Sequence, residues 1–236
     1  IMKRVGVERF CAVCSDNAGN TKKARALLKQ LTPSVLDIGD CCHHLQNTAK
    51  DLTRLPEFKE VIGQLRKIIT YFRKSTLANT ELSALRAEDG VARGLESIGK
   101  TRFATVYWSS ESIRQCLPQL RRIVGSGKFA IKFEQALTCY TSILAPLARA
   151  IKALEATNTT ASDVLVFWLA LASHLDHLLS QPEDVTGISP TLGRKVRGIV
   201  NARYKAFIDE APNDIYFGAF YLNPRELSVL RSLTCY

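Results

Sequence analysis

The run FCAVCSDNAGNTKKARALLKQLTPSVLDIGD, residues 10–40, decides how the rest of the chain is read. Phe10-Cys11-Ala12-Val13-Cys14 is a short apolar run of strand type, and Ser34-Val35-Leu36-Asp37-Ile38 is a second. Between them residues 17–30 follow a helical period, with Lys22, Lys23, Arg25 and Lys29 set against Ala24, Leu27 and Leu28. Strand, helix and strand in so short a span make a βαβ unit, which predicts two neighbouring parallel strands. The crossover returns the chain to its starting end, so the exits of the two strands fall side by side, where open α/β sheets bind ligands. Asp16 stands at the first exit and Asp40-Cys41-Cys42-His43-His44 at the second.

Beyond this unit the strand signals almost stop. Apolar positions recur at helical spacing over residues 45–52, 57–73, 80–87, 108–123, 130–156 and 162–179. Pro33, Pro56, Pro118, Pro146, Pro182 and Pro190 act as breaks, starts or kinks. Residues 57–180 are therefore expected to be almost wholly helical. Residues 184–189 read as a linker, residues 192–208 as a basic helix and residues 215–222 as a buried apolar segment. The expected fold class is an α/β start followed by a large, mainly α-helical region, mostly helical overall. Three regions follow: 1–55, 56–182 and 183–236. The most apolar stretch, residues 164–179, is interrupted by Ser173, His174, Asp176 and His177 and reads as a buried helix, so no membrane partner is expected.

The 236 residues carry 32 Lys and Arg against 22 Asp and Glu, a net charge of +10, which points to an anionic partner or compartment. Seven cysteines, an odd number with two adjacent, do not form a secreted disulfide framework and suit a reducing cytosolic or nuclear setting. The opening Ile1-Met2-Lys3-Arg4 leads into no apolar h-region, so no secretory leader is expected.

Four groups of residues could carry chemistry. Asp16 at a strand exit could hold a divalent cation, or simply cap the following turn. Cys11 and Cys14 differ by an odd number, so in a strand they point to opposite faces and cannot chelate one zinc; they read as buried structural thiols. Cys41 and His44 are three apart at a helix start and share a face, where they could line a site without binding metal. Arg102, with Phe103, Tyr107 and Trp108, could engage phosphates and stack on unpaired bases, or these rings could be core residues at helical spacing. Arg194, Lys195, Arg197, Arg203 and Lys205 lie in an acid-free stretch, residues 185–208, that could follow a phosphate backbone or form a solvated helix face.

In their order and spacing, the segments CSDNAGNTKKAR (residues 14–25), DCCHHLQNTAKDL (residues 40–52), GKTRFATVYW (residues 99–108) and IYFGAFYLNPREL (residues 215–227) resemble the ribonuclease H-like catalytic domain of hAT-superfamily transposases. The resemblance spans nearly the whole chain. It implies an Asp-Asp-Glu triad holding Mg²⁺ or Mn²⁺, with a helical domain inserted between the second Asp and the Glu. Asp16 matches the second Asp, the catalytic and metal-binding position. Cys41 and His44 match a CxxH motif near the site. Arg102 and Phe103 occupy the place of an Arg-Trp pair beside DNA; Phe lacks the indole N–H, for which Trp108 is the substitute.

Two triad positions lack counterparts. The acid before Asp16 is Glu8, too close to be the first Asp, and neither Glu210 nor Glu226 lies in a motif that assigns the final Glu. The resemblance thus implies a fragment with DNA as partner, self-association left open, a nuclear location and metal-dependent phosphodiester cleavage and strand transfer in the intact protein. With one triad carboxylate, the fragment alone should not catalyse. The rival readings are a domesticated, non-catalytic DNA-binding or protein-interaction module, and a helical scaffold whose basic charge serves solubility.

Overall fold

The computed structural model describes residues 2–99, 104–125 and 131–225. A single α-helical turn, α1 (Met2–Val5), and a 3₁₀ turn, Val7–Arg9, precede the βαβ unit, which consists of β1 (Ala12–Ser15), α2 (Gly19–Leu31) and β2 (Leu36–Gly39). The strands pair in parallel, Ala12 opposite Leu36 through Ser15 opposite Gly39, as the alternating apolar runs predict. Asp40 extends the ladder by donating its N–H to the Ser15 carbonyl at 2.8 Å. Every other described element is helical: α3 (Cys41–Thr53), α4 (Lys59–Lys74), α5 (Thr76–Glu88), α6 (Ala104–Gln115), α7 (Leu117–Val124), α8 (Ile131–Leu154), α9 (Ala161–Ser180), α10 (Glu183–Thr186), α11 (Pro190–Tyr204) with its π-helical extension Lys205–Asp209, and α12 (Ile215–Leu222). The protein is mostly helical with a small two-stranded parallel sheet near its N-terminus.

The chain divides into two compact units. The first comprises residues 1–48, 150–173 and 198–236, the second residues 49–149 and 174–197.

In the second unit α4 places Val61, Ile62, Leu65, Ile69 and Phe72 inward at i, i+3, i+4 spacing. It is followed directly by α5, whose first turn is capped by Ser75, the Oγ accepting the Ala78 N–H at 3.2 Å. Tyr140 of α8 is fully buried, edge-on to Phe58 with centroids 5.1 Å apart, and its hydroxyl shares a 3.0 Å hydrogen bond with Thr53. The single helix expected over residues 108–123 is two, broken at Cys116. Pro118 has no N–H to give an interior helical bond but fits the first turn of α7. Pro146, by contrast, lies inside α8 without ending it.

In the first unit Trp168 of α9 is buried against Tyr204 and Phe207. By length and composition α9 is apolar enough to cross a membrane, a test that the core helix of a soluble protein also passes. The terminal apolar segment is not wholly buried as expected. It forms α12, which turns Tyr216 and Phe220 inward and leaves Tyr221 and Leu222 exposed. Helical geometry allows only one face of an isolated apolar octet to meet the core.

The expected pattern of α2 holds for Lys22, Lys23 and Lys29, which are exposed, and for half-buried Leu28, but fails elsewhere. Arg25 is its one buried residue, whereas Leu27 and Leu31 are exposed at 49% and 82%. The reason is the polar network that Arg25 organises.

Candidate functional site

The carboxyl ends of β1 and β2 bring residues 14–17 and 39–43 together. Arg25 reaches them from α2. Its Nε binds the Asp37 carboxylate at 2.5 Å, and one terminal nitrogen donates to the Ser15 and Asp16 carbonyls at 3.0 and 2.6 Å and to the Ser15 hydroxyl. The other donates to Asn17 Oδ1 at 2.8 Å. A buried guanidinium requires such saturation, since each unpaired N–H would carry a desolvation cost. The consequence is a fixed path for the peptide that carries Asp16.

Asp16 lies at the end of β1, as expected, and is partly exposed. Its Oδ1 accepts the Thr21 hydroxyl at 2.5 Å and the Ala18 N–H at 3.2 Å, and these bonds hold its carboxyl below the ordinary range. The capping role weighed against metal binding is therefore occupied by one of its two oxygens. The Arg25 guanidinium nearby lowers the Asp16 pKa a little further. Mg²⁺ or Mn²⁺ requires about six oxygen ligands, usually including more than one protein carboxylate or phosphate. Asp16 is outside the one cluster of three potential metal ligands found among the described residues. The described residues thus do not by themselves fit the ion that the resemblance implies.

At the second exit Asp40 caps α3, its Oδ1 accepting the N–H groups of Cys42 at 2.9 Å and His43 at 3.3 Å. Cys41 and Cys42 follow, half-buried. Their thiols share a hydrogen bond that, as the largest effect on each, lowers the Cys42 pKa and raises that of Cys41; desolvation and the Asp40 charge raise Cys41 further. Cys14 is exposed, not the buried thiol expected, although packing on its inner side and then the Asp40 carboxylate raise its pKa. Cys11 is exposed as well. The two-stranded sheet is too narrow to cover both sides of β1, which explains the difference.

His44 is not at the exit beside Cys41 but buried below it. Its Nε2 lies 2.8 Å from the Arg203 carbonyl, and its ring stacks on Phe207 with centroids 4.5 Å apart. The π-helical turn Lys205–Asp209 that presents Phe207 is a feature with no signal in the sequence pattern. Nearby, Tyr216 donates its hydroxyl to the Gly39 carbonyl at 3.1 Å, and Asn213 donates to the Asp37 carbonyl at 2.7 Å, so the segment after α11 is laced to β2. Burial raises the Tyr216 pKa and keeps it a donor. A cavity of about 90 Å³ between these elements is lined by Asn17, Asp37, Phe207 and Tyr216.

The candidate nucleic-acid residues lie elsewhere. Arg102 and Phe103 fall outside the described residues. Trp108 is half-buried, edge-on to Tyr107 at 4.9 Å. Of the α11 cations, Lys195 pairs with Glu57 at 2.5 Å and Arg197 with Asp176 at 2.8 Å, while Arg194 is exposed beside the Thr191 hydroxyl. Lys195 and Arg197 of the acid-free stretch thus find their acids on other segments.

A different surface has the cations that the sequence reading did not single out. Arg66, Lys67 and Lys74 of α4 line an open depression of about 520 Å³ with Thr70, Ser75 and a Tyr71 ring that is 58% exposed. None of the three pairs with an acid among the described residues. The spacing i, i+1, i+4, i+5, i+8 in the sequence could have revealed this face. No family model, no curated protein and no solved structure matches the chain.

Proposed function

We propose that this chain is the part of a hAT-type, ribonuclease H-like transposase that carries one triad carboxylate and the helical insertion, and that its described residues bind DNA without cutting it. The observation that carries the reading is Asp16 at the exit of β1 in a parallel βαβ unit, its peptide held by Arg25, with Cys41 opening the helix at the neighbouring exit. Parallel strands normally sit in wider sheets covered on both faces, so a two-stranded pair suits a partial ribonuclease H-like sheet. Phosphodiester cleavage would need further carboxylates beside Asp16. That only one triad carboxylate is assignable favours the non-catalytic DNA-binding module over the enzyme for this stretch of chain. A nuclear location agrees with that partner.

Phosphate attraction falls to the α4 cations, which have no acid partner among the described residues, with the exposed Tyr71 ring able to stack on a base. Binding to a labelled duplex, measured over a series of salt concentrations, tests the reading. Affinity should fall steeply with salt, with a log–log slope of about −0.9 per phosphate contacted. Replacing Arg66, Lys67 and Lys74 with Ala should flatten that slope by up to ~2.7 if each meets one phosphate. Asp16→Asn should leave metal-free binding unchanged. Salt-insensitive binding, or Mg²⁺-dependent nicking that Asp16→Asn abolishes, would overturn the proposal.

A further inference from the structure

The exits of β1 and β2 gather soft donors as well as Asp16. Oxygen of Asp40 and the sulfurs of Cys41 and Cys42 all lie within 4.8 Å of one another. Cys14 belongs to the same side of the sheet: it is opposite Ile38, and Ile38 and Asp40 are two residues apart, so the three share one face while Ser15 and Asp37 turn toward Arg25. We propose that Cys14, Asp40, Cys41 and Cys42 form a binding site for a thiophilic d¹⁰ cation, Zn²⁺ in the first instance, separate from Asp16.

Four physical points support it. Tetrahedral zinc with sulfur at about 2.3 Å needs donor atoms about 3.8 Å apart, and those of Asp40, Cys41 and Cys42 already lie within 4.8 Å of one another, with Cys14 outside that trio but on the same face as the fourth donor. Asp40 keeps Oδ2 for a metal, because its capping bonds use Oδ1. Cys41 and Cys42 open the first turn of the 13-residue α3, directly after Asp40, so three of the four donors come from consecutive residues. Finally, Cys41 and Cys42 are ill placed to be lost to a mutual disulfide: adjacent Cα atoms across a trans peptide are about 3.8 Å apart, short of the roughly 4.4–6.8 Å that a disulfide spans. Thiolate donors select zinc over Mg²⁺, so the two kinds of ion would not compete for these residues.

Cobalt provides the spectroscopic probe. The full chain, reduced and stripped with a chelator, is titrated with Co²⁺ and then with Zn²⁺. One equivalent of Co²⁺ should produce the sulfur-to-metal charge-transfer band and intense visible bands of a tetrahedral thiolate site. Zn²⁺ should erase them and Mg²⁺ should not. Cys42→Ser and Cys14→Ser should each weaken Co²⁺ binding by at least about 10-fold, the lower end of losses seen even for outer-shell partners. Cys11→Ser should leave the spectrum intact. Circular dichroism on each variant separates loss of donors from loss of fold; if a variant loses its helical signal, Cys41→Ala replaces it as the probe. Octahedral or absent bands, or bands that survive both Cys42→Ser and Cys41→Ala, would overturn the site. Bands that survive Cys14→Ser would overturn its four-residue form.

Discussion

Helices α2 and α4 are both amphipathic in sequence, yet they bury opposite kinds of side chain. In α4 the apolar stripe from Val61 to Phe72 goes inward and the cations Arg66, Lys67 and Lys74 go out. In α2 the arginine goes inward and Leu27 and Leu31 remain in solvent. The difference teaches that amphipathic periodicity identifies a helix without choosing which face is buried. For α4 the hydrophobic effect decides. For α2 the decision falls to five hydrogen bonds that a single guanidinium makes with Ser15, Asp16, Asn17 and Asp37.

The sharpest way to break the comparison is Arg25→Ala. Asp37, only 15% exposed, would lose its ionic partner and the Asp16 peptide its brace. Removing one partner of such a pair costs about 3–5 kcal/mol, so chemical denaturation should show a loss of that order. Little or no loss would mean that α2 is held by apolar packing after all. The matching change in α4, Leu65→Ala, empties a position only 1% exposed and should cost about 2–5 kcal/mol through lost transfer energy and a cavity.

A smaller effect concerns Glu111 of α6, whose carboxyl is held below its usual range chiefly by hydrogen bonds from Arg114 at 2.7 and 2.9 Å. A depressed folded-state pKa adds stability above the unfolded value near 4.3, and that stability is lost as pH falls through the folded value. Wild type should therefore exceed Glu111→Gln in stability at neutral pH and converge on it in acid. Thermal melts across that range check the sign. Smallest of all, Leu31→Gln removes an 82% exposed leucine and should change stability by no more than about 0.5 kcal/mol, whereas a larger loss would show that this face is covered in solution.

Much of the outline was legible because it is local. Alternating or continuous apolar runs before residue 40 and the 3.6-residue period after Pro56 reflect backbone geometry that each segment imposes on itself. The strand exit at Asp16 follows from the same logic. The fates of the expected site residues were not local. Cys41 is at the exit, but His44, three residues on, is drawn down to a carbonyl 159 residues away in the chain. Lys195, basic in its own neighbourhood, is paired with Glu57, 138 residues earlier. Cys11 and Cys14 look like core residues by type, yet a two-stranded sheet leaves them in solvent.

By itself the sequence determined the βαβ start, the helical remainder and the position of Asp16, since periodicity and turn chemistry act over a few residues. Tertiary structure alone decided that Arg25 is buried, that Asp40, Cys41 and Cys42 converge while Asp16 stands apart, and that Lys195 and Arg197 of α11 meet acids whereas Arg66, Lys67 and Lys74 of α4 meet none among the described residues. Those outcomes depend on the partners that distant segments supply. Charge pairing, donor convergence and burial are properties of atoms a few ångströms apart in space, and linear spacing does not record them.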